Sequence, residues 1–198
     1  MVTMTTTDDI QRILTCHEPV LQNVSHRTRA AVALILREGP SGPEILFIER
    51  AKHDGDPWSG DLGFPGGKVE AHDRDPQSAA ERETQEELGL DLGTARYLGR
   101  LSDVAGDTLP VLVSCFVYVY GGDGPLRPNC EVRDAFWMPL VELLNPLRHE
   151  ETPVRFRGKR VARPAIRLPQ QGKPVLWGLT YRLVMQFLRL LPGSVTGS

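Results

Sequence analysis

The stretch from Gly66 to Leu90 constrains this chain more than any other, because it sets a glycine pair beside a carboxylate-rich helix. Gly66-Gly67 lets the backbone turn tightly, and Arg82-Glu83-Thr84-Gln85-Glu86-Glu87-Leu88-Gly89-Leu90 follows. At about 100° per residue, Ala80, Thr84 and Leu88 fall on one side of a helix. Glu83, Glu86 and Glu87 fall on another, within an arc of roughly 100°. Arg82 borders the acidic side, and Glu81 and Gln85 face away from both. Ser78, or Asp75 ahead of Pro76, is the start signal and Gly89 the stop. Carboxylates three and four residues apart repel, each pair by about a few tenths of a kcal/mol. One guanidinium cannot neutralise three of them. Oxygen donors without histidine or cysteine call for a hard divalent cation, Mg²⁺ or Mn²⁺ rather than Zn²⁺. A merely solvated acidic face would leave the glycine turn, the arginine and the terminal glycine unexplained.

From Arg82 to Leu90 the sequence resembles the Nudix hydrolase family. Its box reads Gly, five residues, Glu, seven residues, then Arg-Glu-U-x-Glu-Glu-x-Gly-U, with U a bulky aliphatic. Thr84 stands at the first U. Counting from Gly67, the sixth residue is Asp73 rather than Glu, and eight residues rather than seven separate it from Arg82. The acidic partner of Arg82 is therefore Asp73 or Glu70. One branch of the family, the coenzyme A pyrophosphatases, often carries an Asp and an extra residue here. The chain resembles that branch at Arg50, Gly60 and Phe64-Pro65-Gly66-Gly67, with Trp58 in place of the usual His and a spacer one residue longer. Trp177-Gly178-Leu179-Thr180-Tyr181-Arg182 is similar to the start of that group's last helix. The resemblance runs from about Arg27 to Leu191.

The resemblance implies an α/β fold, a Nudix-like α/β/α sandwich around a mixed sheet. One domain spans 27–191, between an N-terminal helical extension (1–26) and a mobile tail (192–198). It implies a Mg²⁺- or Mn²⁺-dependent diphosphohydrolase with Glu86 and Glu87 on the metals. Glu83 and the Gly67 carbonyl are further ligands, and Arg82 orients the carboxylates. Glu86 is the first candidate for general base, and Glu131 the external one, or else an exposed carboxylate beside Arg133. Arg50, Trp58, Phe64, Gly66 and Lys68 are expected to face substrate. Arg50 meets phosphate or pairs with Glu49 or Asp54; Trp58 stacks on a base or anchors the loop 54–60. The expected substrate is coenzyme A or a derivative, cut to 3′,5′-ADP and 4′-phosphopantetheine. Other nucleotide derivatives (ADP-ribose, NADH, dinucleotides, oxidised nucleotides) and a non-catalytic ligand-binding module stay open, although a pure binder has no need of three clustered acids.

The 198 residues, 40% hydrophobic and 24% charged, suit one soluble domain with a substantial core. A net charge of −2 argues against nucleic-acid or membrane partners, leaving a small-molecule nucleotide as the expected partner, with a homodimer admitted. Cys16, Cys115 and Cys130 form no metal motif and cannot all pair within the chain, so a reducing, cytoplasmic setting is expected. No targeting or membrane-spanning segment is evident. Strands are expected over 29–36, 44–50, 95–101, 111–120 and 131–138, and helices over 8–15, 141–144 and 177–191. From Arg148 to Lys173 there are eight Lys or Arg and two acids. This basic stretch either contacts an extra phosphate or forms a hairpin with one solvated face.

Overall fold

Strand β1 (Thr28–Gly39) is the axis of the molecule, and its residues 31–36 are all apolar because both of its faces are covered. In the computed structural model, which describes residues 5–24, 26–53, 59–107, 109–122, 124–156 and 158–192, β1 pairs in parallel with β7 (Val111–Val119). On its other edge it forms a hairpin with β2 (Gly42–Arg50), in register from Leu36↔Ile45 to Gly39↔Gly42. Before Leu36 the two strands take different partners. Strand β4 (Gly66–Lys68) pairs with β1 at 30–32, and β3 (Leu62–Gly63) pairs with β2 at 48–49. The sheet is thus forked, and the glycine pair sits in the fork. Strand β8 (Val132–Pro139) pairs with β2, while β5 (Arg96–Arg100) and β6 (Val104–Ala105) pair with β7, completing a mixed eight-stranded sheet.

Period-two alternation gives the sheet two cores. Ala31, Ala33, Ile35, Leu46 and Ile48 face helix α2 (Pro76–Leu88), which meets them with Ala79, Ala80 and Leu88. Leu34, Leu36, Ile45 and Phe47 face the other way, under α1 (Thr7–Thr15), α3 (Leu140–Leu144) and α4 (Gly178–Leu190). The result is the expected α/β/α sandwich around a mixed sheet. Ile10 and Leu14 of α1 belong to the larger core, so the N-terminal helix is packed on the domain. Its cap is Thr6, which accepts from the Asp9 N–H while Asp9 answers in a capping box, so the helix begins at Thr7, one residue before the expected 8–15. A second sheet, β9 (His149–Phe156), β10 (Lys159–Ile166) and β11 (Leu176–Trp177), stands on the α4 side. Trp177 closes β11, so α4 begins at Gly178 rather than Trp177. Trp58 and the segment 193–198 of the expected tail lie outside the described residues.

Candidate active site

Local signals place α2 and so orient its acids. Asp75 accepts from the Ser78 N–H at 2.7 Å, Ser78 Oγ accepts from the Asp75 N–H at 3.0 Å, and Pro76 follows at the first helical position. Gly89 ends the helix with φ +69°. Thr84, standing where an aliphatic belongs, is fully buried and donates its hydroxyl to the Ala80 carbonyl at 2.7 Å. That bond satisfies the only polar atom of its side chain. Glu81 does not face away from the protein: Tyr118 donates to it at 2.8 Å, anchoring α2 to the sheet beside the small core.

Arg82 is the hub of the acidic side. Its Nε donates to Asp73 Oδ1 at 2.9 Å and its Nη2 to Asp73 Oδ2 at 3.0 Å, while Nη1 donates to Glu83 at 2.9 Å. Glu86 lies farther off, at 3.3 Å, with more than half of its side chain exposed. Asp73, not Glu70, is therefore the partner of Arg82. The turn decides between them: the Glu70 N–H donates to Asp73 Oδ2 at 2.8 Å, while the Glu70 carboxylate points outward toward Lys68. The arginine fork holds the Asp73 carboxyl down at about 2.

The glycine pair brings two acids against the sheet. Gly66 donates its N–H to Glu87 Oε2 at 2.9 Å. Glu87 is only 2% exposed, and burial pushes its carboxyl up to about 7, against the opposing pull of the Gly66 N–H and the Arg50 charge. Glu83 is also raised by burial, partly offset by Arg82. A Cβ on Gly67 would lie 2.5 Å from the Glu83 carboxyl carbon, so only glycine leaves room for that carboxylate beside β4. At Gly66, φ is +145° and a Cβ would meet the Ala31 carbonyl oxygen at 2.3 Å.

Glu131 is brought to the same place by the loop before β8. The N–H groups of Arg127 and Asn129 satisfy the carbonyls of Leu88 and Glu87 at the end of α2, at 2.8 and 2.9 Å. Asn129 Oδ1 then accepts from the Glu131 N–H at 2.8 Å, and the Glu131 carbonyl accepts from the Ala51 N–H. The carboxylate is exposed, and its charge acts on both Glu83 and Glu87. Arg133 bonds to Glu49 at 2.8 Å.

Among the described residues no three acidic, histidine or cysteine side chains already converge on one point. Glu83 and Glu86 are drawn to Arg82, and Glu87 to the Gly66 N–H. The donor set nevertheless fits a hard cation. It is made of carboxylate oxygens, and the most buried of them, Glu87, is charged only at a cost that a cation would remove.

Gly66, Gly67, Lys68 and Arg50 open onto a cavity of about 630 Å³. Arg50 lines it and acts on Glu87 by charge; Glu49, one proposed partner of Arg50, is held by Arg133 and Lys173. Lys68 is exposed at the rim, 3.8 Å from Glu70. Phe64, expected to face substrate, is 4% exposed and stacked on Phe47 at 5.2 Å, so its ring is chiefly a core wall that also borders the cavity. Sequence reasoning missed Asp61, which lines the cavity and whose Oδ1 accepts from Trp177 Nε1 at 3.0 Å. Trp177 and the first turn of α4 also line the cavity, with Phe156 edge-on to Trp177 at 6.0 Å. Arg182 leaves that turn to bond the Ala105 carbonyl at 2.7 Å and Asp107 at 3.2 Å. Nothing local in the sequence announces that strand β3, α4 and the second sheet meet here.

Residues 26–157 match the model of the NUDIX domain. The chain is 34% identical over 172 residues to the mitochondrial coenzyme A diphosphatase NUDT8 of Homo sapiens, covering 83% of this chain and 70% of that one. It is 37% identical over 114 residues to the uncharacterized protein C14C4.10c of Schizosaccharomyces pombe, covering 54% of this chain and 35% of that protein. Against the uncharacterized Nudix hydrolase NudL of Yersinia pestis it is 26% identical over 174 residues, 85% of this chain and 81% of that one. A solved Nudix hydrolase of M. smegmatis, RenU, superposes with a TM-score of 0.49 at 22% identity, over 59% of this chain and 73% of that one. With the domain model spanning most of its length and a relative above 30% identity across most of both chains, this chain belongs to the Nudix family.

Proposed function

We propose that this Nudix hydrolase cleaves the diphosphate of coenzyme A or its derivatives in a metal-dependent reaction, giving 3′,5′-ADP and 4′-phosphopantetheine. The observation that carries the reading is the two-point grip of Arg82 on Asp73. It makes the Asp and the extra residue of the irregular box a working part of the site, in the form the coenzyme A branch resembles. The similarity to a coenzyme A diphosphatase over 83% of the chain supports the same substrate class.

Nudix hydrolases generally use Mg²⁺ or Mn²⁺, which here would be held by Glu83, Glu86 and Glu87 with the Gly67 carbonyl. Bound there, such an ion supplies charge neutralisation to the phosphates and acidifies a water. The chain's own residues do the rest. Arg82, braced by Asp73, keeps Glu83 and Glu86 from splaying apart. Glu86, the exposed acid of the three, takes the proton from the attacking water at a carboxylate oxygen, and Glu131 is the second candidate. The oxygen of that water bonds to one phosphorus, the bridging bond breaks, and the other phosphate leaves as a phosphomonoester. Arg50 faces the cavity where a phosphate oxygen would lie.

The test is kcat/KM, with Mg²⁺ and with Mn²⁺, across coenzyme A, acetyl-coenzyme A, ADP-ribose, NADH and a diadenosine polyphosphate. The reading requires coenzyme A or its thioester to lead the panel. Preference for ADP-ribose or NADH would reassign the enzyme to another nucleotide derivative. No turnover of any diphosphate would mark a ligand-binding module.

A further inference from the structure

The second sheet sorts the basic stretch 148–173 in a way its sequence does not reveal. Arg148 is paired with Glu142, Arg167 with Glu150, and Lys173 with Glu49 and Asp134. In the β9–β10 ladder Arg155 lies directly opposite Arg160, on the same face as Pro153 and Ala162. The other face carries Glu150, Thr152, Val154 and Phe156 of β9 and Lys159, Val161, Arg163 and Ala165 of β10, with Trp177 of β11 beside Ala165. Part of that face is covered, while Lys159 and Arg163 are exposed on it. Val154 and Ala165 are buried, and Phe156, Arg163 and Trp177 all line the cavity.

Arg163 is thus the basic residue of this stretch that the fold delivers to the cavity wall among the described residues. Its guanidinium bonds to the carbonyl of its own neighbour, Ala162, at 3.3 Å, and among the described residues it pairs with no carboxylate. The acids that share the cavity are engaged elsewhere: Asp61 accepts from Trp177, and Asp107 accepts from Arg182. An arginine that opens onto the same cavity as two aromatic rings is suited to an anion carried on a stacking or apolar body.

Resting on the proposed function, we infer that Arg163, which shares the cavity lining with Phe156 and Trp177, forms a subsite for a second phosphate, a phosphomonoester on the ribose separate from the diphosphate under attack. Arg163 is then a specificity residue. It discriminates 3′-phosphorylated substrates from their dephospho forms without touching the reacting atoms.

The test compares full-length wild type, Arg163→Ala and Arg163→Lys in calorimetric titrations with 3′,5′-ADP and with 5′-AMP. A parallel measurement takes kcat and KM on coenzyme A and dephospho-coenzyme A. Wild type should bind 3′,5′-ADP more tightly than 5′-AMP. Arg163→Ala should weaken 3′,5′-ADP about tenfold or more while changing 5′-AMP less than about twofold, as loss of one charge-assisted contact predicts. Arg163→Lys should recover part of the loss. The kinetic counterpart is a raised KM for coenzyme A alone, at unchanged kcat. Equal loss for both ligands, no loss, or no wild-type preference for the 3′-phosphate overturns the subsite. If coenzyme A is cut but Arg163→Ala is not selective, the subsite alone fails. If the titrations discriminate but coenzyme A is not cut, the substrate reading alone fails.

Discussion

Arg82 grips Asp73 through both arms of its guanidinium, at 2.9 and 3.0 Å, while its third nitrogen reaches Glu83 at 2.9 Å. One side chain thereby ties the turn after the glycine pair to the acidic face of α2. Asp73→Ala should lower kcat/KM about 10- to 100-fold, the usual cost of removing a residue that orients metal ligands. Glu70→Ala, exposed and outside the fork, should change it less than about twofold. Steady-state kinetics of the two variants side by side checks the assignment, and equal effects would contradict it.

The same pair predicts an acid limb of stability. Asp73 is depressed to about 2 in the folded protein against an ordinary 3.8, so its contribution is fully present above 3.8 and lost as pH falls through 2. Thermal melts of Asp73→Asn against pH should be flatter than wild type across that window.

Glu87 predicts the opposite slope near neutrality. Its folded value of about 7 lies above the ordinary 4.5, so the folded state holds the proton more tightly. Metal-free protein should lose stability as pH rises from 4.5 to about 7, and Glu87→Gln should remove that loss. Mg²⁺ should raise the melting temperature more at pH 8 than at pH 6, because binding requires the carboxylate form. Melts with EDTA and with Mg²⁺ at both pH values check this.

The two adjacent glycines should fail differently. Gly66→Ala drives a Cβ into the Ala31 carbonyl at 2.3 Å and needs a φ of +145°, so it should cost about 1–3 kcal/mol of stability. Gly67→Ala meets the movable end of Glu83 at 2.5 Å and should leave the melting temperature nearly unchanged while lowering kcat about tenfold or more. Melting temperature and kcat on both variants separate the cases.

Helix α2 and its acids were legible because their signals are local: Asp75-Pro76 at the start, Gly89 at the end, and three acids at helical spacing. The choice between Asp73 and Glu70 was not, since it depends on a backbone N–H of the turn. The helical wheel turned Glu81 outward because it cannot know that Tyr118 stands on the sheet below. Strands β3, β4, β6 and β11, two or three residues each, are too short to carry a period, yet they build the fork and the cavity mouth. Phe64 illustrates the same limit, because an aromatic before a glycine turn reads alike whether it meets a ligand or stacks on Phe47. The alternation in β9 and β10 displayed two faces, and only the packing of the second sheet on α4 says which one meets the cavity.

The proposed hydrolysis of coenzyme A at the acidic face of α2 is read most directly from product mass after incubating coenzyme A with Mg²⁺ and either wild type or Glu86→Gln. Wild type should give 3′,5′-ADP and 4′-phosphopantetheine. Glu86→Gln should form them about two to four orders of magnitude more slowly, and wild type in EDTA should form none. Intact coenzyme A after prolonged incubation with wild type, or equal product from Glu86→Gln, would contradict it.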